Sequence, residues 1–299
     1  MGSIELLLKI QYLPCQVRFE CVGFECCLIV CLLYSPSDLI IFILECNIGF
    51  FPDVGGTWWI PRLKLYSEWR NKSYVCGIGS YLALTGARLK GDDLLYAGIA
   101  THFVQSNRLE ELKRSLINAT SMRDGDDRDN LSSNMEDCAA GVLTSLHDAS
   151  IDVEHCFLAR NRSDIDYAFD GKDSIEEILI SLESMGPDSQ FGTSTLSTLR
   201  SLSPTSLKVT LEGLKRGAKV QSVGDALQME YRMAMAFMRE GSDFYEGVRA
   251  ALVDKDGNPK WNPANLYEVS ENIVNSYFCL LYTSPSPRDL STSRMPSSA

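Results

Sequence analysis

From about residue 78 onward, apolar side chains recur at helical intervals between polar ones. Leu82, Ala83, Leu84, Leu89, Leu94, Leu95 and Ile99 follow that spacing, with Gly86 and Gly91 as breaks. Ser174-Ile175-Glu176-Glu177 has the capping-box form and predicts a helix through Leu182. Ser203-Pro204 supplies an N-cap and a proline at the first helical position, where a missing N–H leaves nothing unpaired, for a helix through Leu214. Ser222 opens another, carrying Leu227, Met229, Tyr231, Met233, Ala234, Phe237 and Met238. Methionines at this spacing are read as core packing rather than as the wall of a ligand pocket. Asp256-Gly257-Asn258-Pro259 is a turn. Long β-alternation is scarce. Residues 78–118 and 174–277 are therefore predicted to be mainly helical, packed around a small piece of sheet near residues 48–51.

The two ends follow other patterns. Residues 1–44 hold short apolar runs, 26–34 and 39–44, split by Ser35-Pro36-Ser37-Asp38. Neither run approaches the ~20 residues of a membrane span. No basic stretch precedes a single apolar segment as in a secretory leader. Leu6 stands where the myristoylation pattern wants Ser or Thr. A mitochondrial presequence is Arg-rich and acid-poor, whereas this segment has Arg18 against Glu5, Glu20, Glu25 and Asp38. Residues 1–44 are thus expected to be an unrelated segment, translated from non-coding sequence, with neither membrane anchor nor targeting signal. Residues 279–299, rich in Ser and Pro, are expected to be a disordered tail and resemble a translated library adapter.

Composition narrows the function classes. The chain of 299 residues is 45 % apolar and 22 % charged, which fits a globular protein. Its net charge of −11 argues against general nucleic-acid binding. Residues 124–177 alone carry 15 acidic and 4 basic side chains, read as a solvated helical surface. The 10 cysteines show no C-x-x-C pair, and with His102, His147 and His155 they make no zinc pattern. Buried free thiols in a reducing compartment are expected, and no metal site.

The stretch richest in chemistry is Glu45-Cys46-Asn47-Ile48-Gly49-Phe50-Phe51-Pro52-Asp53-Val54-Gly55-Gly56-Thr57. Two acids flank an apolar piece and a proline, and Gly55-Gly56 lets backbone approach a partner closely before a helix begins. A carboxylate can attack an acyl carbon or take a proton from water, while a second holds a hydroxyl. The plainer alternative is a solvent-facing Glu45 and an Asp53 that caps the following helix.

That stretch resembles the P-E-x-x-I-G-x-F-P-D-V-G-G signature of the 3-hydroxyisobutyryl-CoA hydrolase family, within the enoyl-CoA hydratase/isomerase (crotonase) superfamily. The likeness continues through Tyr81-Leu82-Ala83-Leu84-Thr85-Gly86, Ala97-Gly98-Ile99-Ala100-Thr101-His102-Phe103-Val104 and Ser203-Pro204-Thr205-Ser206-Leu207-Lys208. Met229-Glu230-Tyr231-Arg232, Asp243-Phe244-Tyr245-Glu246-Gly247-Val248-Arg249-Ala250 and Pro259-Lys260-Trp261 complete it. The resemblance implies an α/β crotonase-like ββα spiral, represented mostly by its helical C-terminal portion over residues 45–278, with the N-terminal sheet truncated. It implies catalytic roles for Glu45 and Asp53 in cleaving the thioester of 3-hydroxyisobutyryl-CoA during valine breakdown. Asp53 would lie by the 3-hydroxyl, and Gly49 would let the chain pass close to the acyl group. His102 is read as a packed structural histidine.

The resemblance also implies a mitochondrial location, an acyl-CoA substrate, no cofactor besides that coenzyme A thioester, and no nucleic-acid or membrane partner. A homo-oligomer is left open. Residues 65–76 interrupt the shared pattern and are expected to form a surface insertion. The family's CoA-binding strands and oxyanion-hole glycines precede the glutamate, and residues 1–44 offer only Gly2 and Gly23. This chain by itself is therefore expected to be inactive. The alternatives are an enoyl-CoA hydratase or isomerase on the same fold, and a non-catalytic mitochondrial ribosomal small-subunit component.

Overall fold

The computed structural model describes residues 45–63, 76–100, 102–121, 131–148, 150 and 152–279. A single 3₁₀ turn, Glu45–Ile48, leads through an irregular stretch to α1 (Gly56–Trp59) and a 3₁₀ turn Ile60–Arg62. There follow α2 (Cys76–Thr85), α3 (Gly91–Tyr96), α4 (Leu109–Ser121), α5 (Leu131–Leu146), α6 (Phe157–Arg160), α7 (Arg162–Phe169) and α8 (Ile175–Ser184). The chain then forms α9 (Gln190–Ser201), α10 (Pro204–Gly217), α11 (Val223–Phe237), α12 (Asp243–Val248), which runs into a π turn, and α13 (Glu271–Ser276). Among the described residues no β-strand is formed, and no helix is long and apolar enough to cross a membrane. The expected insertion falls almost wholly outside the described residues, as do residues 1–44 and 280–299.

The predicted caps are present. The Ser174 hydroxyl accepts from Glu177 N–H at 3.2 Å, although the Glu177 carboxylate reaches back to Asp173 N–H (2.9 Å) instead of to Ser174. The Ser222 hydroxyl accepts from Asp225 N–H at 3.1 Å. The Ser203 hydroxyl accepts from Ser206 N–H at 3.0 Å and donates to the buried carboxylate of Asp243. Ser203 is fully buried, so Ser203→Ala removes a cap and leaves Asp243 short of a donor. The expected loss is about 1–3 kcal/mol, read from urea denaturation.

Helix α10 is central. Leu207, Leu211 and Leu214 on one side join a core with α2, α3 and α7–α9, while Val209 joins Phe50, Phe51, Met229, Met233 and Phe237 on the other. A smaller cluster of Val104, Leu109, Leu112, Leu143 and Leu146 closes α4 on α5. The short α1 lies directly on α10: a Cβ at Gly217 would stand 2.0 Å from the Thr57 carbonyl oxygen. Arg62 locks that contact by donating to the carbonyls of Gly217, Ala218 and Val220, at and just beyond the C-terminal end of α10, while its guanidinium stacks 3.5 Å above the Trp58 ring.

The sheet expected near residues 48–51 is not there. Phe50 and Phe51 pack as aromatics, with ring centroids 5.2 Å and 5.6 Å from Phe237, and Phe50 is 5.0 Å from Phe244. The Phe50 carbonyl takes its hydrogen bond from the Ser206 hydroxyl rather than from a neighbouring strand. Side-chain packing and one hydroxyl satisfy this apolar segment in place of a sheet.

Candidate active site

The loop carrying the two acids is fastened at each step. Gly49 N–H and Phe50 N–H bond to the carbonyls of Cys46 (3.2 Å) and Glu45 (2.9 Å), closing the 3₁₀ turn. Cys46 is buried, donates to Ala83 O at 3.3 Å and lies 3.4 Å from the Thr210 hydroxyl. Burial pushes its thiol pKa to about 11, so it is a packed thiol and no nucleophile. Gly49 has φ +68°, and a Cβ there would meet the Asp243 carbonyl oxygen at 2.5 Å. Gly247 faces the same turn from the other side, where a Cβ would fall 2.3 Å from the Ile48 carbonyl. Both glycines let α12 pack against backbone.

Held this way, Glu45 is half-buried, and its Oε2 is buried with no hydrogen-bond partner among the described residues. Loss of solvent raises its pKa to about 7, and the charge of Asp53 adds to the rise. Asp53 is exposed, and partial desolvation also raises its pKa. The structure thus brings the two predicted acids into electrostatic reach of one another at the start of the glycine turn.

Asp53 does not cap the following helix. The N-cap of α1 is Gly55, which has no side chain for the task. The backbone carbonyl of Asp53 accepts from Gly56 N–H at 2.9 Å, leaving the carboxylate unengaged by that helix end. The capping carboxylate belongs to Glu230 of α11. It accepts from Gly55 N–H (2.8 Å), Thr57 N–H (2.9 Å) and the Thr57 hydroxyl (2.7 Å). Sequence reasoning passed over Glu230. Its signal was an acid on the apolar side of α11, between Met229 and Met233.

His102 stands elsewhere, its ring edge-on to His147 at 5.7 Å and its Nε2 3.4 Å from the Thr144 hydroxyl. Burial, and then His147, lower its pKa, consistent with a packed neutral ring. Cys156 is likewise buried and free. No cluster among the described residues could hold a metal ion. A cavity of about 510 Å³ between α8, α10 and α13 is lined by Asp173, Glu176, Lys208, Lys215 and Glu271 among others, and none of residues 45–57 faces it. Its lysines are already paired, Lys208 with Glu176 at 2.7 Å and Lys215 with Asp173 at 3.0 Å.

The model of the enoyl-CoA hydratase/isomerase family matches residues 39–278, and the chain belongs to that family. Within it, the chain is 40 % identical over 244 residues to a protein of Dictyostelium discoideum named 3-hydroxyisobutyryl-CoA hydrolase, mitochondrial. It is 43 % identical over 235 residues to the protein of the same name from Gallus gallus. These matches take in 82 % and 78 % of this chain but 57 % and 54 % of those proteins, so the chain spans about half the length of the curated relatives it matches. Among solved structures, a carnitinyl-CoA dehydratase from Mycobacterium thermoresistibile superposes with a TM-score of 0.65 at 30 % identity, over 85 % of this chain and 62 % of that one. An enoyl-CoA hydratase from Rhodobacter sphaeroides gives 0.59 at 31 % identity, over 79 % and 58 %. The fold is crotonase-type, represented by its mostly helical portion.

Proposed function

We propose that this chain carries the acid-bearing, helical part of an acyl-CoA thioester hydrolase acting on 3-hydroxyisobutyryl-CoA. The observation that supports the reading most is the Glu45 carboxyl, with one oxygen buried and without a hydrogen-bond partner among the described residues, and a pKa near 7. An acid with every lone pair hydrogen-bonded is spent on structure, whereas this one is free to meet a substrate or a water, with a pKa suited to work near neutrality. Glu45 supplies the electron pair that opens the thioester, directly at the acyl carbon or by taking a proton from water. Asp53, at the exposed lip, accepts the substrate's 3-hydroxyl. The reaction uses no cofactor; coenzyme A arrives as part of the substrate and leaves as the thiol. The names of the relatives support the same substrate and a mitochondrial setting. On the resemblance described above, CoA-binding strands and oxyanion donors would precede Glu45.

The test is a paired assay, on a chain completed with a relative's N-terminal portion, of CoA release from 3-hydroxyisobutyryl-CoA against hydration of crotonyl-CoA. Release without hydration supports the hydrolase; hydration without release means the hydratase alternative. Because Glu45 acts as the carboxylate, the rate rises about tenfold per pH unit below a midpoint near 7 and levels above it. Asp53→Asn removes a charge that raises that midpoint, so the rising limb moves to lower pH. A pH–rate profile unmoved by Asp53→Asn would contradict the coupling.

A further inference from the structure

We propose that Glu230 is a positioning residue for Asp53: its carboxylate, brought in from α11, caps the glycine turn in trans and so fixes where Asp53 stands relative to Glu45. That role presupposes the site proposed above, with Glu45 and Asp53 as its acids. The turn closes on one backbone bond of its own, Gly56 N–H to Asp53 O at 2.9 Å, and carries strain beside it. Val54 has φ 52° and Gly55 φ 85°, and a β-branched residue in the left-handed region is strained. No side chain of the turn caps α1. Glu230 supplies what is missing, with Gly55 N–H on Oε2 and both donors of Thr57 on Oε1. Glu230 and Thr57 are both buried, at 4 % and 2 % exposure, so water does not compete for these bonds.

The chemistry selects a carboxylate. It is acceptor-only and offers both oxygens to donors that arrive from two directions, whereas an amide would aim an NH₂ group at one of those N–H donors. Burial raises the Glu230 pKa, against the pull of its donors, and Asp53 raises it further. The two acids are therefore close enough to sense each other. Glu230 bonds to Gly55 and Thr57 and not to the carboxylates of Glu45 or Asp53, so its effect on chemistry passes through the backbone of residues 53–57.

The experiment compares the 299-residue chain with its Glu230→Gln, Thr57→Val and Asp53→Asn variants. Amide hydrogen exchange is measured at Gly55 and Thr57, and the Glu45 titration is followed by carboxyl carbon NMR. In Glu230→Gln the two amides are expected to exchange about tenfold faster, while Leu211 and Leu214 in α10 keep their wild-type rates. The Glu45 midpoint falls from about 7 toward its value in Asp53→Asn, because Asp53 no longer stands where its charge acts on Glu45. Thr57→Val, which keeps the side-chain shape and drops one donor, shifts both readouts the same way by less. The proposal is overturned if both Glu230→Gln and Thr57→Val leave the Glu45 midpoint at the wild-type value while Asp53→Asn lowers it. It is overturned equally if exchange accelerates uniformly through α10 and α11, which is the mark of a residue that only holds the fold. Neither readout uses turnover, so a completed chain that fails to release CoA would sink the hydrolase reading and leave this result standing.

Discussion

A chain in which residues 45–277, without residues 65–76, follow the N-terminal portion of the Gallus gallus relative is expected to release coenzyme A from 3-hydroxyisobutyryl-CoA, and Glu45→Gln to cut that release by about 10²–10⁴-fold. Glutamine keeps the volume and the polarity of Glu45 but cannot supply the electron pair. Oε2, which has no hydrogen-bond partner among the described residues, is an oxygen that can offer that pair. The 299-residue chain alone is expected to show no release above its own Glu45→Gln control. Thioester cleavage passes through an oxyanion, and the loss of a single donor to it typically costs about 10²–10³ in rate. A substrate that is not held also forfeits the advantage of proximity. Turnover by the 299 residues alone, above that control, would show that the donors lie within them.

A large effect on stability is expected at Gly247. A valine there places its Cβ 2.3 Å from the carbonyl carbon and oxygen of Ile48 and 2.6 Å from its Cα. Those are backbone atoms of the turn that presents Glu45, so no flexible side chain can yield. The expected loss is about 3 kcal/mol, or roughly 6–12 °C in Tm for a unit of this size. Gly141 makes the contrasting case: it lies inside α5, a Cβ there would have nothing within 4 Å, and Gly141→Ala should stabilise by about 0.5–1 kcal/mol. Differential scanning calorimetry on both variants checks the pair. Equal Tm values would mean that α12 does not rest on the turn.

Local signals were readable where the physics is local. Ser174, Ser203 and Ser222 cap the helices their sequences announce, because a cap and its N–H partner lie three residues apart. The apolar piece at 48–51 was misread for the opposite reason. A four-residue apolar run fits a strand or an aromatic insert equally well, and only the arrival of Phe237 and Phe244 decides between them. The methionine stripe of α11 divides. Met229 and Met233 are core as expected, while Leu227, Tyr231, Met235 and Met238 face outward. Within the site, Glu45 and Asp53 stood out as acids beside a glycine turn. Glu230 did not, since nothing near residue 230 reports that its partners are Gly55 and Thr57.

That separation has a consequence for how the protein is made. The contacts fastening the acid-bearing loop reach far downstream: Ser206 lies 156 residues beyond Phe50, Thr210 lies 164 beyond Cys46, and Glu230 lies 175 beyond Gly55. At a synthesis rate of about 5–20 residues per second, the emerging loop waits roughly 9–35 s for its last anchor. Through that interval Phe50, Phe51 and Trp59 have no core to enter. A message that stops anywhere between codons 58 and 229 would still encode both acids, the glycine turn and every recognisable letter of the motif, and would yield a polypeptide in which Asp53 has no fixed place.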